Sequence, residues 1–533
     1  MKKYIFFISV FAALLTGSCK KSVEGTEIYP KADPPLVEFL PDKPVPNLAS
    51  AGEIVKVAIE GLKGKEFTAY LSSVQAEVIE VTEKFITLKV PQDAITGSVS
   101  VLVQGQSYFG PTVKIRGDVV LDPNFDVNNY RSVGAINGIL QRDASTFIIY
   151  GGIQDYQGNL QTVPINGVVF INTNGAYAST LTIDRFSRFA PKFINISHIT
   201  KLSSGGYLVA GGFSIYGEKL ANGIVSVNAR GELDTMLVNV VNPDPVNYPE
   251  NNTEIVSALN GGVAGNVKRA FVTADNNYIV AGNFQYHVST YYPMSQKGAP
   301  FLDRVEAPSI VKMFGTGSFD SSYNYDFVAK KGGGANGFVN DAVKLPNDDV
   351  IVVGAFTTFM NQPVGRIVKI NATDGKMSSS FNAGSGADGE IRRITYNPAI
   401  ANRYVISGTF RHYNGVLVNG VAVIDGSGNL ISTFNAKEFS GGIVNYAGLL
   451  SGNKVVVSGT FTHYNGKVRP GLAILNSSGD LIDNYNKFGL FTGEIRDMFE
   501  TTNQGLPALF LVGNFNMYDN ISVGNIVKLN FTN

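Results

Sequence analysis

Apolar and polar residues alternate in short runs along most of this chain. Ile54-Val55-Lys56-Val57-Ala58-Ile59, Phe85-Ile86-Thr87-Leu88-Lys89-Val90 and Gly97-Ser98-Val99-Ser100-Val101-Leu102-Val103 carry a period close to two. That period places successive side chains on opposite faces of a strand. Gly and Pro interrupt the runs, as at Gly61 and Pro91. Residues 34–117 therefore predict an antiparallel β-sandwich.

From residue 118 onward a different pattern sets in: an apolar strand, then Gly, any residue, and usually Phe. The glycines are Gly151, Gly211, Gly282, Gly354, Gly408, Gly459 and Gly513, so seven copies recur 51 to 72 residues apart. Around each copy the chain predicts four short strands, with the fourth ending near Phe434 in one unit and Tyr485 in another. Four strands per repeat is the pattern of a propeller blade. One such sheet cannot bury both faces alone, so neighbours must stack. The glycine is expected to let backbones approach closely, and the Phe to fill the gap between blades. The last unit ends after its third strand, Gly524 to Leu529. The segment around Val119-Val120-Leu121, within about 119–127, matches the missing fourth strand and is expected to close the ring. The predicted fold is all-β: an N-terminal Ig-like sandwich over 34–117, then a seven-bladed β-propeller over 118–533.

Gly52 before Val55-Lys56-Val57-Ala58-Ile59, the Ile86-Thr87-Leu88-Lys89-Val90-Pro91 step and the strand from Gly97 resemble an IPT/TIG immunoglobulin-like domain. The seven glycine-centred units resemble the delta-60 repeat β-propellers of bacterial exported proteins. Together they resemble Bacteroidota lipoproteins of unknown function. The resemblance implies a sandwich that acts as a spacer, lifting a binding platform off the membrane.

The N-terminus changes the picture further. Lys2 and Lys3 precede an apolar stretch over 4–15, too short for a comfortable helical span. Thr16-Gly17-Ser18-Cys19 then resembles a bacterial lipobox, with Leu15 one place earlier than usual. The reading is a lipoprotein signal peptide over 1–18, lipidation at Cys19 and a flexible tether over 19–33. Cys19 is the only cysteine, which excludes structural disulfides and thiolate metal clusters. Lys plus Arg equal Asp plus Glu at 43 each, so no basic surface argues for a nucleic-acid partner.

Most long loops fall on the face shared by blade-to-blade connections and the loops after the repeat glycines. Two are unusually long, about 234–265 and 285–308, and are expected to meet at one corner. The second carries Tyr286, His287, Tyr291 and Tyr292. Such loops on a rigid scaffold are where binding usually resides.

Five residues after the repeat glycine the chain places Tyr156, Tyr216, His287, Phe359, Tyr413, Tyr464 and Tyr518. They read either as a ring of stacking platforms or as loop closures packed against the next blade. His412 and His463 are equivalent in adjacent units, but no third metal ligand accompanies them. Glu390-Ile391-Arg392 and Glu494-Ile495-Arg496 read as ion pairs between blades rather than acid–base catalysts. No serine-nucleophile, zinc-protease or P-loop motif occurs.

The expectation is a non-enzymatic, lipid-anchored outer-membrane lipoprotein without cofactor or metal. It is expected to bind a polysaccharide, an oligosaccharide or an outer-membrane transporter complex through Tyr286, His287, Tyr291, Tyr292, His412, Tyr413, His463 and Tyr464. The alternative is an assembly lipoprotein acting only through protein–protein contacts. A third reading, a glycoside hydrolase or lyase, would call for two or more buried carboxylates at the ring centre.

Overall fold

The computed structural model describes residues 36–158, 167–178 and 195–532. The expected signal peptide, Cys19 and the tether lie outside the described residues. The fold is all-β, and the helical turns among the described residues are short 3-10 segments such as Pro249–Asn252. No helix among these residues is long and apolar enough to cross a membrane.

The first region holds two sheets around one core. Glu38–Phe39, Ile54–Glu60, Phe85–Lys89 and Glu77–Val81 form one sheet. Leu48–Ala49, Gln106–Ile115, Gly97–Val103, Phe67–Leu71 and Val74–Gln75 form the other. The alternating pattern is realised directly. Val55, Val57 and Ile59 point inward from one sheet, Val99, Val101 and Val103 from the other, and all six are buried in a shared core.

This domain does not stand clear of the rest. Thr96 N–H donates to the Lys487 carbonyl at 2.8 Å, and Lys487 Nζ donates to the Gln92 carbonyl at 2.7 Å. Lys467 pairs with Asp93 at 2.7 Å. The Gln92–Gly97 loop therefore sits on the connection between the last two repeat sheets.

Seven small sheets follow, one for each repeat glycine. In the fifth, Ile391–Tyr396, Tyr404–Gly408 and Val421–Ile424 pair antiparallel in that order. The expected fourth strand is shorter than the sequence suggested. In six repeats it contributes one isolated bridge, such as Ile424↔Leu430 or Leu475↔Leu481. The last sheet has a regular fourth strand. Val119–Leu121 pairs with Ile526–Phe531, with Val119 opposite Phe531 and Leu121 opposite Leu529.

The first strands of the seven sheets touch in cyclic order, and the last touches the first. Buried side chains accordingly form seven wedges, each shared by two neighbouring sheets. Phe356, Phe410, Phe461 and Phe515 lie in such wedges, as expected of gap-filling side chains.

The glycine permits a close approach of backbones, as expected. Each first strand carries a β-bulge near its start, between Ile136/Gly138, Ile196/His198, Val267/Arg269, Val339/Asp341, Ile391/Arg393, Val444/Tyr446 and Ile495/Asp497. The bulge presses a carbonyl onto the repeat glycine of the same sheet. A Cβ on Gly151, Gly211, Gly282, Gly354, Gly408, Gly459 or Gly513 would overlap the carbonyl oxygen of Ala135, Asn195, Asn266, Phe338, Glu390, Ile443 or Glu494 respectively. The close approach is within a sheet, not between blades.

Candidate functional site

The two long loops become ordered strands at one corner. Thr235–Asn239 and Thr253–Ser257 form a hairpin with Leu237 opposite Ile255. In the third repeat, Tyr278–Thr290 runs well past Gly282 and pairs with Leu302–Glu306. These extensions and the loop after the second repeat glycine enclose a cleft of about 310 Å³.

Its wall mixes apolar and polar groups. Lys219 and Asn222 come from the second repeat, Glu254 and Ser257 from the hairpin, and Tyr292 from the third-repeat extension. Asn260 fixes the extension: its side chain donates to the Thr290 carbonyl and accepts from the Thr290 N–H, each at 3.0 Å. Glu254 accepts the Gly298 N–H at 3.1 Å. Ser257 is 4 % exposed, and its hydroxyl has no hydrogen-bond partner among the described residues. Partial burial, aided by the nearby Glu254 carboxylate, pushes the Tyr292 phenol up to about 12, so it stays neutral and able to donate. Tyr286 and Tyr291 are exposed beside this corner.

The structure separates the remaining sequence-predicted residues from this cleft. His287 is buried, and its Nε2 lies 3.0 Å from the Gly317 carbonyl, a contact that requires the ring proton on Nε2. Burial, only partly opposed by that hydrogen bond, holds its pKa below the usual histidine value. Tyr413 and Tyr464 are buried, and their hydroxyls donate to the Gly428 and Gly479 carbonyls. Tyr156 and Tyr216 do the same to Gly175 and Gly231. The ring of stacking platforms is thus corrected. These four side chains tie their loops to a glycine turn, as the loop-closure reading has it, and His287 takes the tyrosine's place in the third repeat. Phe359 and Tyr518 are buried without such a bond among the described residues.

His412 pairs with Asp388 at 2.7 Å. His463 instead lines a cleft between the sandwich and the last two repeat sheets. Among the described residues no group of three or more metal-binding side chains comes together. The Glu–Arg motifs also differ from expectation. Arg392 meets Glu390 and Arg496 meets Glu494, each at 3.3 Å, within one strand rather than across blades. Each arginine reaches the next sheet through an asparagine, Asn445 at 2.6 Å and Asn137 at 2.7 Å.

Two carboxylates lie near the axis, Asp341 buried and Asp497 half-buried. Asp341 accepts the Ile394 N–H at 3.3 Å and Asp497 accepts the Ile139 N–H at 3.1 Å. Both therefore receive a backbone donor from the following sheet. Burial raises the Asp497 carboxyl above the ordinary range, whereas at Asp341 the Arg269 and Arg393 guanidinium groups outweigh burial and lower it.

Sequence reasoning missed Ser257 and Asn260, and saw Glu254 only as one of the carboxylates of the 234–265 stretch. The stretch holding them reads as a long connection, although Met236, Leu237, Val238, Ile255 and Val256 already carried strand-forming side chains.

Residues 452–481, in the sixth repeat, match a family model described as a domain of unknown function (DUF5122) beta-propeller. With the cyclic set of sheets, this match defines an all-β chain of propeller-like fold. No curated protein matches the chain. Among solved structures, the WD40 beta propeller domain of Doa1 is 12 % identical, with 78 % of this chain and 96 % of that one covered and a TM-score of 0.37. An auxiliary nutrient binding protein from Bacteroides thetaiotaomicron VPI-5482 is 10 % identical, with 92 % and 96 % covered and a TM-score of 0.33. A protein of the same description from Bacteroides ovatus ATCC 8483 is 12 % identical, with 92 % and 96 % covered and a TM-score of 0.29.

Proposed function

We propose that this chain is a non-catalytic, lipid-anchored binding protein of the bacterial cell envelope. In this reading an Ig-like domain of IPT/TIG type supports a seven-bladed propeller that holds a glycan in the corner cleft. The observation that carries it is the pairing of a buried, unpartnered Ser257 hydroxyl with the half-buried Tyr292 in one wall. An apolar ring face beside unspent hydroxyl and amide groups suits a sugar, which has apolar C–H faces and a rim of hydroxyls. The seven glycine-centred sheets, and the pairing of Val119–Leu121 with the last of them, support the blade number.

Affinity gel electrophoresis over a polysaccharide panel tests the site. At least one glycan is expected to retard the protein, and Tyr292→Ala is expected to weaken retention about tenfold, equivalent to about 1.4 kcal/mol. Absence of retention by every glycan, or full retention by the variant, would sink the reading. The anchor is tested separately: Cys19→Ala is expected to move the protein from the membrane to the soluble fraction, and an unchanged membrane fraction overturns it.

A second reading, docking of an envelope protein, is favoured by the outward side of the same hairpin. Leu237 is 68 % exposed and Ile255 53 %, directly opposite each other. Leu237→Asp separates the two: a glycan site keeps its affinity, whereas a docking surface loses its partner.

A further inference from the structure

The axis of the ring holds a polar cavity of about 460 Å³, lined from six of the seven first strands. The bulges build it. At each bulge one extra residue has no ladder partner, and six of these seven, Lys268, Asn340 and Arg392 among them, line the cavity.

The charges around this cavity do not cancel. Glu390 is taken by Arg392, Glu494 by Arg496, and Asp341 by Arg269 at 2.6 Å. Two cations remain. Arg393 lies 4.0 Å from Asp341, whose charge Arg269 already meets. Lys268 has no ion-pair partner among the described residues, although it lines the cavity. Burial, then repulsion from Arg393, pulls the Lys268 pKa below its usual value. The folded chain thus holds an ammonium beside like charges, and the anion that acts on it, Asp341, is already paired with Arg269.

Two further groups bear on what would fill the space. The Asn266 side-chain amide lines the cavity and has no hydrogen-bond partner among the described residues. Phe338 is 68 % exposed and occupies the strand position that Glu390 and Glu494 hold in their own sheets, two residues before the cavity-lining Asn340. Glu390 and Glu494 line the cavity, so the exposed Phe338 ring, at the equivalent place in its own repeat, sits beside the lining Asn340.

We propose that this axial cavity is a second binding site, which takes the carboxylate of an acidic saccharide on Lys268 and Arg393, with Asn266 meeting a hydroxyl and Phe338 the sugar ring. It is separate from the corner cleft, so either site can fail alone. A carboxylate supplies the missing anion, and guanidinium and ammonium donors bind it by charge-assisted hydrogen bonds. A flat ring against the aromatic face adds the apolar contact that a free inorganic anion lacks.

The test is calorimetric titration of the full chain with galacturonate, glucuronate and mannuronate disaccharides, their neutral counterparts, citrate and inorganic phosphate. At least one uronate is expected to bind saturably, with its neutral counterpart at least tenfold weaker. Lys268→Met is expected to weaken that binding at least tenfold while leaving the urea midpoint unchanged or raised, because it removes a cation from beside Arg393. Tyr292→Ala is expected to leave it unchanged. The proposal is overturned if no uronate binds, if the neutral sugars bind equally, or if Lys268→Met has no effect. Citrate or phosphate binding as tightly as the uronate also overturns it, leaving an anion sink without sugar recognition. Loss in Tyr292→Ala with retention in Lys268→Met places the acidic sugar in the corner cleft, which sinks the axial site and spares the corner one.

Discussion

Asp122→Ala is expected to destabilise the propeller-like domain by about 3–5 kcal/mol, the cost typical of leaving one member of a buried ion pair without its partner. Asp122 follows Val119–Leu121, the strand that joins the last sheet from the other end of the repeat region. Its carboxylate meets Lys528 Nζ at 2.9 Å, with side-chain exposures of 0 % and 3 %. It also accepts the Asn503 amide at 2.9 Å and the Asn124 N–H at 3.0 Å. Three groups therefore lose an acceptor, and one of them is a buried ammonium left, among the described residues, with only the Thr173 carbonyl. Urea unfolding followed by circular dichroism reads the loss, with Asp122→Asn as the variant that removes the charge and keeps the shape. A loss below about 1 kcal/mol in Asp122→Ala would show that the strand closes the ring without help from this pair.

The same contact makes closure sensitive to acid. Burial raises the Asp122 pKa, but the Asn124 N–H and the Lys528 ammonium lower it by more, so the folded carboxyl titrates below its ordinary value. A depressed folded pKa stabilises at pH above the unfolded value of about 3.9, and the contribution is lost as pH falls through the folded one. Wild type and Asp122→Ala should therefore differ fully near neutral pH and converge as the pH drops below about 3.9.

The repeat was legible because its period is written in residue types that strands and tight turns demand. The seven glycines, the Phe two places later and the apolar runs before them all survive as strand ends and wedge side chains. What each side chain meets was not legible. Arg392 and Glu390 have the same spacing whether they pair within a strand or across sheets, and only the bulge decides it. Tyr413 looks the same in sequence whether its hydroxyl faces solvent or the Gly428 carbonyl. The corner was visible as two long loops, yet its cleft depends on Thr253–Ser257 pairing back onto Thr235–Asn239, a contact between segments that neither one announces. The axial cavity left no local signal at all. Lys268, Asn340 and Arg393 come from three different repeats and are brought together only by the ring.

Gly408→Ala is expected to cost about 3 kcal/mol, at the upper end of what overpacking by one methyl usually costs. Gly408 is not among the residues with positive φ, so alanine meets no conformational penalty there. The obstacle is space. The new Cβ would overlap the Glu390 carbonyl and crowd the Arg392 nitrogen at 3.0 Å, and both are backbone atoms that cannot rotate away. Relief requires moving the first strand at its bulge, which displaces Arg392 and Arg393 from the axial cavity. Gly415→Ala is the control within the same repeat. Its φ is +77°, and nothing lies within 4 Å of an added Cβ, so only left-handed backbone strain of about 1–2 kcal/mol applies. If the repeat glycine answered merely to turn geometry, the two variants would rank the other way, because only Gly415 has the left-handed conformation. A larger drop in the urea midpoint for Gly408→Ala than for Gly415→Ala therefore identifies close approach within the sheet as the reason this residue recurs, and the reverse order would falsify that explanation.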